Sequence, residues 1–165
     1  MKLKIMLLIV MLLITFSVKA QVKTSQNPNQ FIEKYDSISL ILMEEYNIPR
    51  SIILGISMHE SGYGTSKLSI NKHNYFGIKK GNYYREYNND LESFYDFCKL
   101  LSKKEYYNYL INNNIIDYKI WINEIRKKGY SEDTNWSIKV LHYINKYKLY
   151  DKDDNCKVIQ LDSIS

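Results

Sequence analysis

Cysteine is scarce in this 165-residue chain: Cys98 and Cys156 are the only two, with no Cys-x-x-Cys pair. No Cys/His spacing of the kind that holds zinc is present, and no metal or organic cofactor is implied. One disulfide between the two cysteines remains open, as does a buried Cys98 beside a free Cys156. Also lacking is a run of about twenty apolar residues, the length that spans a bilayer. The longest run, Ile5 to Phe16, is too short for that and has the length of a signal-peptide core. Lys2 and Lys4 precede it, and Ser17-Val18-Lys19-Ala20 follows, with Val18 and Ala20 at the small-residue positions that a signal peptidase reads. Residues 1–20 are therefore expected to be a cleaved Sec signal, with Gln21 as the new N-terminus and the mature chain in the periplasm or outside the cell. An uncleaved anchor is the competing reading. No cysteine lies near the cleavage site to take a lipid, and no stable membrane insertion is expected after cleavage.

A strong charge of one sign is missing too. The whole chain carries +5, and the loss of Lys2, Lys4 and Lys19 with the signal leaves +2. That is too mild to argue for nucleic acid, and it is compatible with an anionic polymer without requiring one. The 16 tyrosines accompany many Ile, Lys and Asn residues that share A/T-rich codons, so they carry little weight as a sign of sugar stacking. No internal repeat or second domain is visible, and a monomer is expected.

What is present reads as one domain. After a polar lead-in at 21–30, apolar residues recur at helical spacing from Phe31 to about Tyr46. Pro49 suits the first turn of a second helix, which Gly62 and Gly64 break. Lys80-Gly81-Asn82 reads as the turn of a small hairpin. Asn89 or Asp90 caps a further helix with Leu91, Phe94, Tyr95, Cys98 and Leu101 on its inner stripe. Helical patterns follow at about 117–128, ended by Gly129, and at 134–148. Residues 151–165 form a polar tail. The expected fold class is α+β, predominantly α, with one small β-hairpin and a domain at 31–150.

The informative segment is Pro49 to Gly64, PRSIILGISMHESGYG. At about 100° per residue, with Ile52 at zero, Ile56 falls near 40°, Glu60 near 80° and Ile53 near 100°. Glu60 thus lies inside the isoleucine stripe of a helix that is apolar nearly all round, and such a helix is normally buried. Burial raises a carboxyl pKa, and the negative end of the helix dipole pushes the same way. An acid that stays protonated near neutral pH is what a glycosidase needs to protonate a leaving oxygen. A structural Glu60, capping a loop or paired with a base, fits the same periodicity.

Glu60-Ser61-Gly62-Tyr63-Gly64 resembles the E-S-G-W-G stretch of bacterial endo-β-N-acetylglucosaminidases, glycoside hydrolase family 73. Further stretches are similar in the same order: Thr65 to Leu68, Asn74-Tyr75-Phe76-Gly77-Ile78-Lys79, Tyr84-Arg85-Glu86-Tyr87, Glu92 to Phe97, and Gly129-Tyr130-Ser131-Glu132-Asp133. The resemblance covers about residues 35–150. It implies a lysozyme-like fold, peptidoglycan glycan strands as partner, cleavage of the β-1,4 bond after N-acetylglucosamine, and Glu60 as general acid. Tyr63 stands where that family usually has Trp, His59 where it often has Leu, and Thr134 and Trp136 where Pro and Tyr often follow the late motif. The hairpin is short and lacks the second carboxylate that many members carry there; Glu86 and Asp90 are the nearest substitutes.

Three routes to the second catalytic role stay open: Glu86 or Asp90 as base on water, the substrate's own N-acetyl group, and Tyr130 positioning that group or stabilising charge. Substrate assistance with Tyr130 in support is the favoured expectation. Ser61, Asn74, Tyr75 and Phe76 are expected to line the binding cleft, and Tyr63 and Tyr75 to stack on sugar faces. His59 is expected either to tune Glu60 or to sit as an ordinary surface histidine. The rival readings are a lytic transglycosylase and a non-catalytic glycan-binding domain. An amidase is disfavoured, because no Cys/His, Ser/His or zinc set serves peptide-bond chemistry.

Overall fold

The computed structural model describes residues 27–153. The expected signal segment, most of the lead-in, Cys156 and the end of the tail lie outside the described residues. The chain forms helices α1 (Pro28–Tyr46), α2 (Arg50–Ser61) and α3 (Lys67–Lys72), then strands β1 (Lys79–Lys80) and β2 (Tyr83–Tyr84). Helices α4 (Asp90–Leu101), α5 (Glu105–Asn112), α6 (Tyr118–Lys127) and α7 (Trp136–Lys146) follow, closed by a 3-10 turn at Leu149–Lys152. The architecture is predominantly helical with one small antiparallel hairpin, as the sequence indicates.

Local chemistry sets most boundaries. The Asn27 side chain accepts from the Asn29 backbone N–H at 3.0 Å and Pro28 opens α1, so residues 28–30 belong to the helix and not to the lead-in. Gly62 adopts φ +56° and ends α2. Asn89 caps α4, and Glu92 reaches back to the Asn88 N–H at 3.0 Å. Helix α5 has no counterpart in the sequence reading, because its buried set is only Tyr106 and Leu110, too few to show a period. Leu91, expected inside, is half exposed: it lies in the first turn of α4, at the rim of the core.

Helix α2 is the centre of the molecule. Every residue from Arg50 to Met58 is buried, and α1, α6, α7 and the 3-10 turn pack around it. A Cβ on Gly55 would fall 2.5 Å from Ile144 Cγ1, so this glycine is what lets α7 come close. Cys98 is buried in the same core from α4.

The N-terminus of α2 is closed from far along the chain. Pro49 has no side chain with which to cap it, and Asp153 Oδ1 accepts from the Ser51 N–H at 2.9 Å instead. Residues 151–153, read as the start of a free tail, are thus packed onto the domain. Asp36 receives both the buried Arg50 and Lys152, the latter at 2.8 Å, which ties α1, α2 and the 3-10 turn together. The other Asp153 oxygen, Oδ2, is sealed without a partner among the described residues. Burial pushes the Asp153 carboxyl up from 3.8 to about 6, against the opposing effect of Ser51. The folded state therefore holds this proton more tightly than the unfolded chain. The associated stability is full below about pH 4 and is lost as pH rises through about 6. Asp153→Asn keeps an acceptor for Ser51 and removes the loss. In urea melts, the stability of the variant relative to the wild type should rise by up to about 3 kcal/mol between pH 4 and pH 7; a difference that is flat with pH would refute this account.

Candidate active site

Glu60 is the penultimate residue of α2 and leaves the core at the wall of an open cleft of about 690 Å³. The cleft is bounded by the hairpin, the end of α4 and the loop between α6 and α7. Burial raises the Glu60 carboxyl above the ordinary range, and a hydrogen bond from Trp136 works against the rise. That bond runs from the indole Nε1 to Oε1 at 2.7 Å. Gly77, at φ +65°, lies on the other side: a Cβ there would sit 3.8 Å from Oε2. A largely buried acid open to a groove on one oxygen can hold and deliver a proton.

Tyr130 lines the same cleft from the late loop. Its ring packs against Trp136 at 5.0 Å and edge-on to Phe97 at 6.2 Å, and its hydroxyl donates to the Phe76 carbonyl at 3.4 Å. Burial, and then the charge of Glu60, push its phenol well above the ordinary value, so it is a neutral donor at any working pH. Phe76 is buried and stacks on Phe97 at 4.0 Å, while still forming part of the cleft floor.

The other expected site residues do not line this cleft. The Ser61 hydroxyl donates to the Ser57 carbonyl and accepts from the Gly64 N–H, which finishes α2. Asn74 is buried; its amide nitrogen donates to the Ile78 and Arg85 carbonyls at 2.9 Å each, and its oxygen accepts from the Ile78 N–H at 3.0 Å. It clamps the base of the hairpin. Tyr75, 5% exposed, packs among Tyr35, Phe31 and Phe94, so it presents no face to a sugar. Tyr63, in the left-handed conformation at φ +58°, turns edge-on to Tyr143 and Tyr147. His59 packs on the Tyr143 ring, and burial lowers its pKa; among the described residues it makes no hydrogen bond to Glu60.

Neither substitute carboxylate lines this cleft. Glu86 is exposed and paired with Lys72 at 3.2 Å. Asp90 accepts from Lys34, Tyr35 and His73 within 2.8 Å; against the penalty of burial these bonds hold it down to about 2. Asp90 is a tie between α1, α3 and α4, fully occupied and too acidic to serve as a base near neutral pH. The carboxylates that do share the cleft with Glu60 are Glu132 and Asp133, and Asp133 is engaged by Lys139 at 2.6 Å.

Trp136 and Tyr84 are the site residues the sequence reading missed. Trp136 drew notice only as a departure from the family pattern; its contact with Glu60 spans 76 positions, and no periodicity reveals it. The Gly81 turn, at φ +61°, pairs Lys79 with Tyr84 and Lys80 with Tyr83. Side-chain alternation then puts Lys79 and Tyr84 on the cleft side, and both line it. Tyr84 is 47% exposed, with Lys79 Nζ 4.9 Å from its ring centre. The hairpin face depends on the Asn74 clamp. Asn74→Ala should cost about 2–4 kcal/mol from three lost hydrogen bonds, and should free the Ile78 amide and loosen the Arg85 amide, which donates to the Ile78 carbonyl, so that both exchange with deuterium faster than those of α2. Unchanged exchange at these amides would disprove the clamp.

Residues 36–149 match the family described as mannosyl-glycoprotein endo-beta-N-acetylglucosaminidase. The chain is 27% identical over 153 residues to the exo-glucosaminidase LytG of Bacillus subtilis, with 75% of this chain covered; it spans about half of that relative's length, 53%. Its fold is similar to the catalytic domain of the autolysin Auto from Listeria monocytogenes, at a TM-score of 0.66 and 21% identity over 84% of this chain and 94% of that one. It is also similar to the glycoside hydrolase domain of Salmonella typhimurium FlgJ, at a TM-score of 0.61 and 20% identity over 84% and 99% of the two chains. The fold is thereby that of these hydrolase domains, and the chain belongs to the glucosaminidase family.

Proposed function

We propose that this protein hydrolyses the glycan strands of peptidoglycan at the β-1,4 bond after N-acetylglucosamine, with Glu60 donating the proton to the leaving sugar. The observation that carries the reading is a cleft-facing carboxyl whose pKa is raised by burial, in a chain of the glucosaminidase family. Retention of Glu60 and an open groove support catalysis over a purely binding role. Hydrolysis is preferred to a transglycosylase reaction because the N-Y-F-G-I-K segment at 74–79 resembles the glucosaminidases.

With Glu86 and Asp90 off the cleft, the substrate's own N-acetyl group takes the second role, and Tyr130 supports it. The acetamide oxygen attacks the anomeric carbon as Glu60 protonates the departing oxygen, and water then opens the cyclic intermediate with retained configuration. Tyr130, neutral and beside Glu60, turns its one O–H from the long contact with the Phe76 carbonyl to the acetamide or to the developing charge. Tyr84 offers a half-exposed ring to a sugar face, the part first expected of Tyr63 and Tyr75. The reaction takes place outside the cytoplasm, after removal of residues 1–20.

The mature chain from Gln21, tested on purified peptidoglycan with products identified by mass, should release fragments that end in reducing N-acetylglucosamine. Glu60→Gln should lower kcat by about 10²–10⁴-fold. Anhydro-sugar ends would replace this reading with the transglycosylase, and wall binding without release would replace it with the binder. Product configuration by NMR should be retained; inversion would overturn substrate assistance and move the base to Glu132, the cleft carboxylate outside any ion pair among the described residues. Tyr84→Ala should raise KM by about 5-fold with kcat little changed, as expected for a lost stacking contact of about 1 kcal/mol.

A further inference from the structure

Trp136 meets Glu60 through a bond of one polarity. The indole nitrogen donates and cannot accept, and it lies 2.7 Å from Oε1. The ring has little freedom: Trp136 is 1% exposed, opens α7, and packs against Tyr130 at 5.0 Å. A neutral carboxyl has two unlike oxygens, a carbonyl oxygen that accepts well and a hydroxyl oxygen that carries the proton. Oε2 takes no hydrogen bond among the described residues and is not one of their sealed unpaired atoms. It lies on the side of Gly77, a residue of the cleft wall.

We propose that Trp136 is a positioning residue that fixes Oε1 as the carbonyl oxygen of neutral Glu60 and so places the transferable proton on Oε2, toward the cleft. The inference rests on the reading of Glu60 as the acid. In the transfer, the Oε2–H bond breaks, the proton passes to the leaving glycosidic oxygen, and the bonding pair stays on the carboxylate. The new charge spreads onto Oε1, where the indole N–H already stands, and a hydrogen bond to a charged acceptor is stronger than one to a neutral acceptor. Tyrosine, which the family resemblance leads one to expect at this position, has a hydroxyl that donates or accepts. It would allow the proton on either oxygen, and tryptophan removes that second arrangement.

The wild-type protein itself gives the first test, because Trp121 and Trp136 are its only tryptophans. In indole N–H NMR spectra across pH, the Trp136 signal should move with a single inflection above the ordinary carboxyl value of 4.5 and stay still in Glu60→Gln. Trp121, which donates to the Ile115 carbonyl, is the internal control. Two still signals in the wild type, or the same movement in Glu60→Gln, would overturn the proposal whether or not any variant is active. Trp136→Phe should lower kcat on peptidoglycan by about 10–100-fold, with KM changed by less than about 3-fold. Its alkaline limb should move to higher pH, since the donor that opposes the rise of Glu60 is gone. In infrared difference spectra, the C=O band of protonated Glu60 should shift to higher frequency in that variant, as a carbonyl released from a donor does. An unmoved alkaline limb with activity scaled down at every pH, or an unmoved carbonyl band, would reduce Trp136 to packing. If Trp136→Phe fails to fold, the wild-type spectra decide. Full activity in Glu60→Gln would end the acid reading, while the indole titration still reported on the contact, so the two failures are separable.

Discussion

From Arg50 to Met58, helix α2 has no face toward water. Its isoleucines, Leu54 and Met58 are sealed by α1, α6 and α7, and Gly55 admits α7 to a distance that any side chain would forbid. A buried helix must still have its free backbone groups met at both ends. At the N-terminus this falls to Asp153, and at the other end to Gly62 and the Ser61 hydroxyl. Glu60 is thereby carried out of the core at one fixed point, and the cleft is built where the rest of the chain closes around it. Hairpin, α4 and late loop are recruited from three separate stretches of sequence to wall a site whose position α2 has already set.

The cleft combines an acid in low polarity with neutral hydrogen-bond donors. Burial favours the protonated form of Glu60, Tyr130 keeps its proton, and the indole of Trp136 cannot lose one in the working range. None of these groups competes with Glu60 as a proton acceptor. Asp36 and Asp90, two carboxylates held below the ordinary range, serve away from the cleft as ties between helices, where a stable charge is an advantage. This sorting separates groups that hold the fold from groups that carry chemistry, although both are carboxylates. The short hairpin then follows a consistent logic: in place of an acid, it brings an exposed aromatic ring and a lysine to the groove.

Much of this was readable from residues alone, for identifiable reasons. Glu60 falls inside the isoleucine stripe because helical periodicity is a local property, and the α4 cap follows from Asn89 and its spacing to Glu92. The family resemblance brought Tyr130 and Phe76 to the cleft. Failures cluster where partners come from a distance. Asp90 reads as a free carboxylate until α1 brings Lys34 and Tyr35 against it, 56 and 55 positions away. Tyr75 and Tyr84 look equivalent in sequence, but Phe31, Tyr35 and Phe94 from α1 and α4 enclose the first, while the hairpin register turns the second to the groove. Helix α5 is too short for its two buried residues to form a pattern.

The capping of α2 by Asp153 changes where the domain ends. Family likeness stops at residue 149, yet the acceptor that the first turn of the central helix uses lies four residues further on. At the front, α1 starts eight residues before the likeness does. The packed elements therefore extend beyond the matched region on both sides. A version of the chain trimmed to the matched region would keep every cleft residue and lose the outer contact that holds the helix bearing its acid.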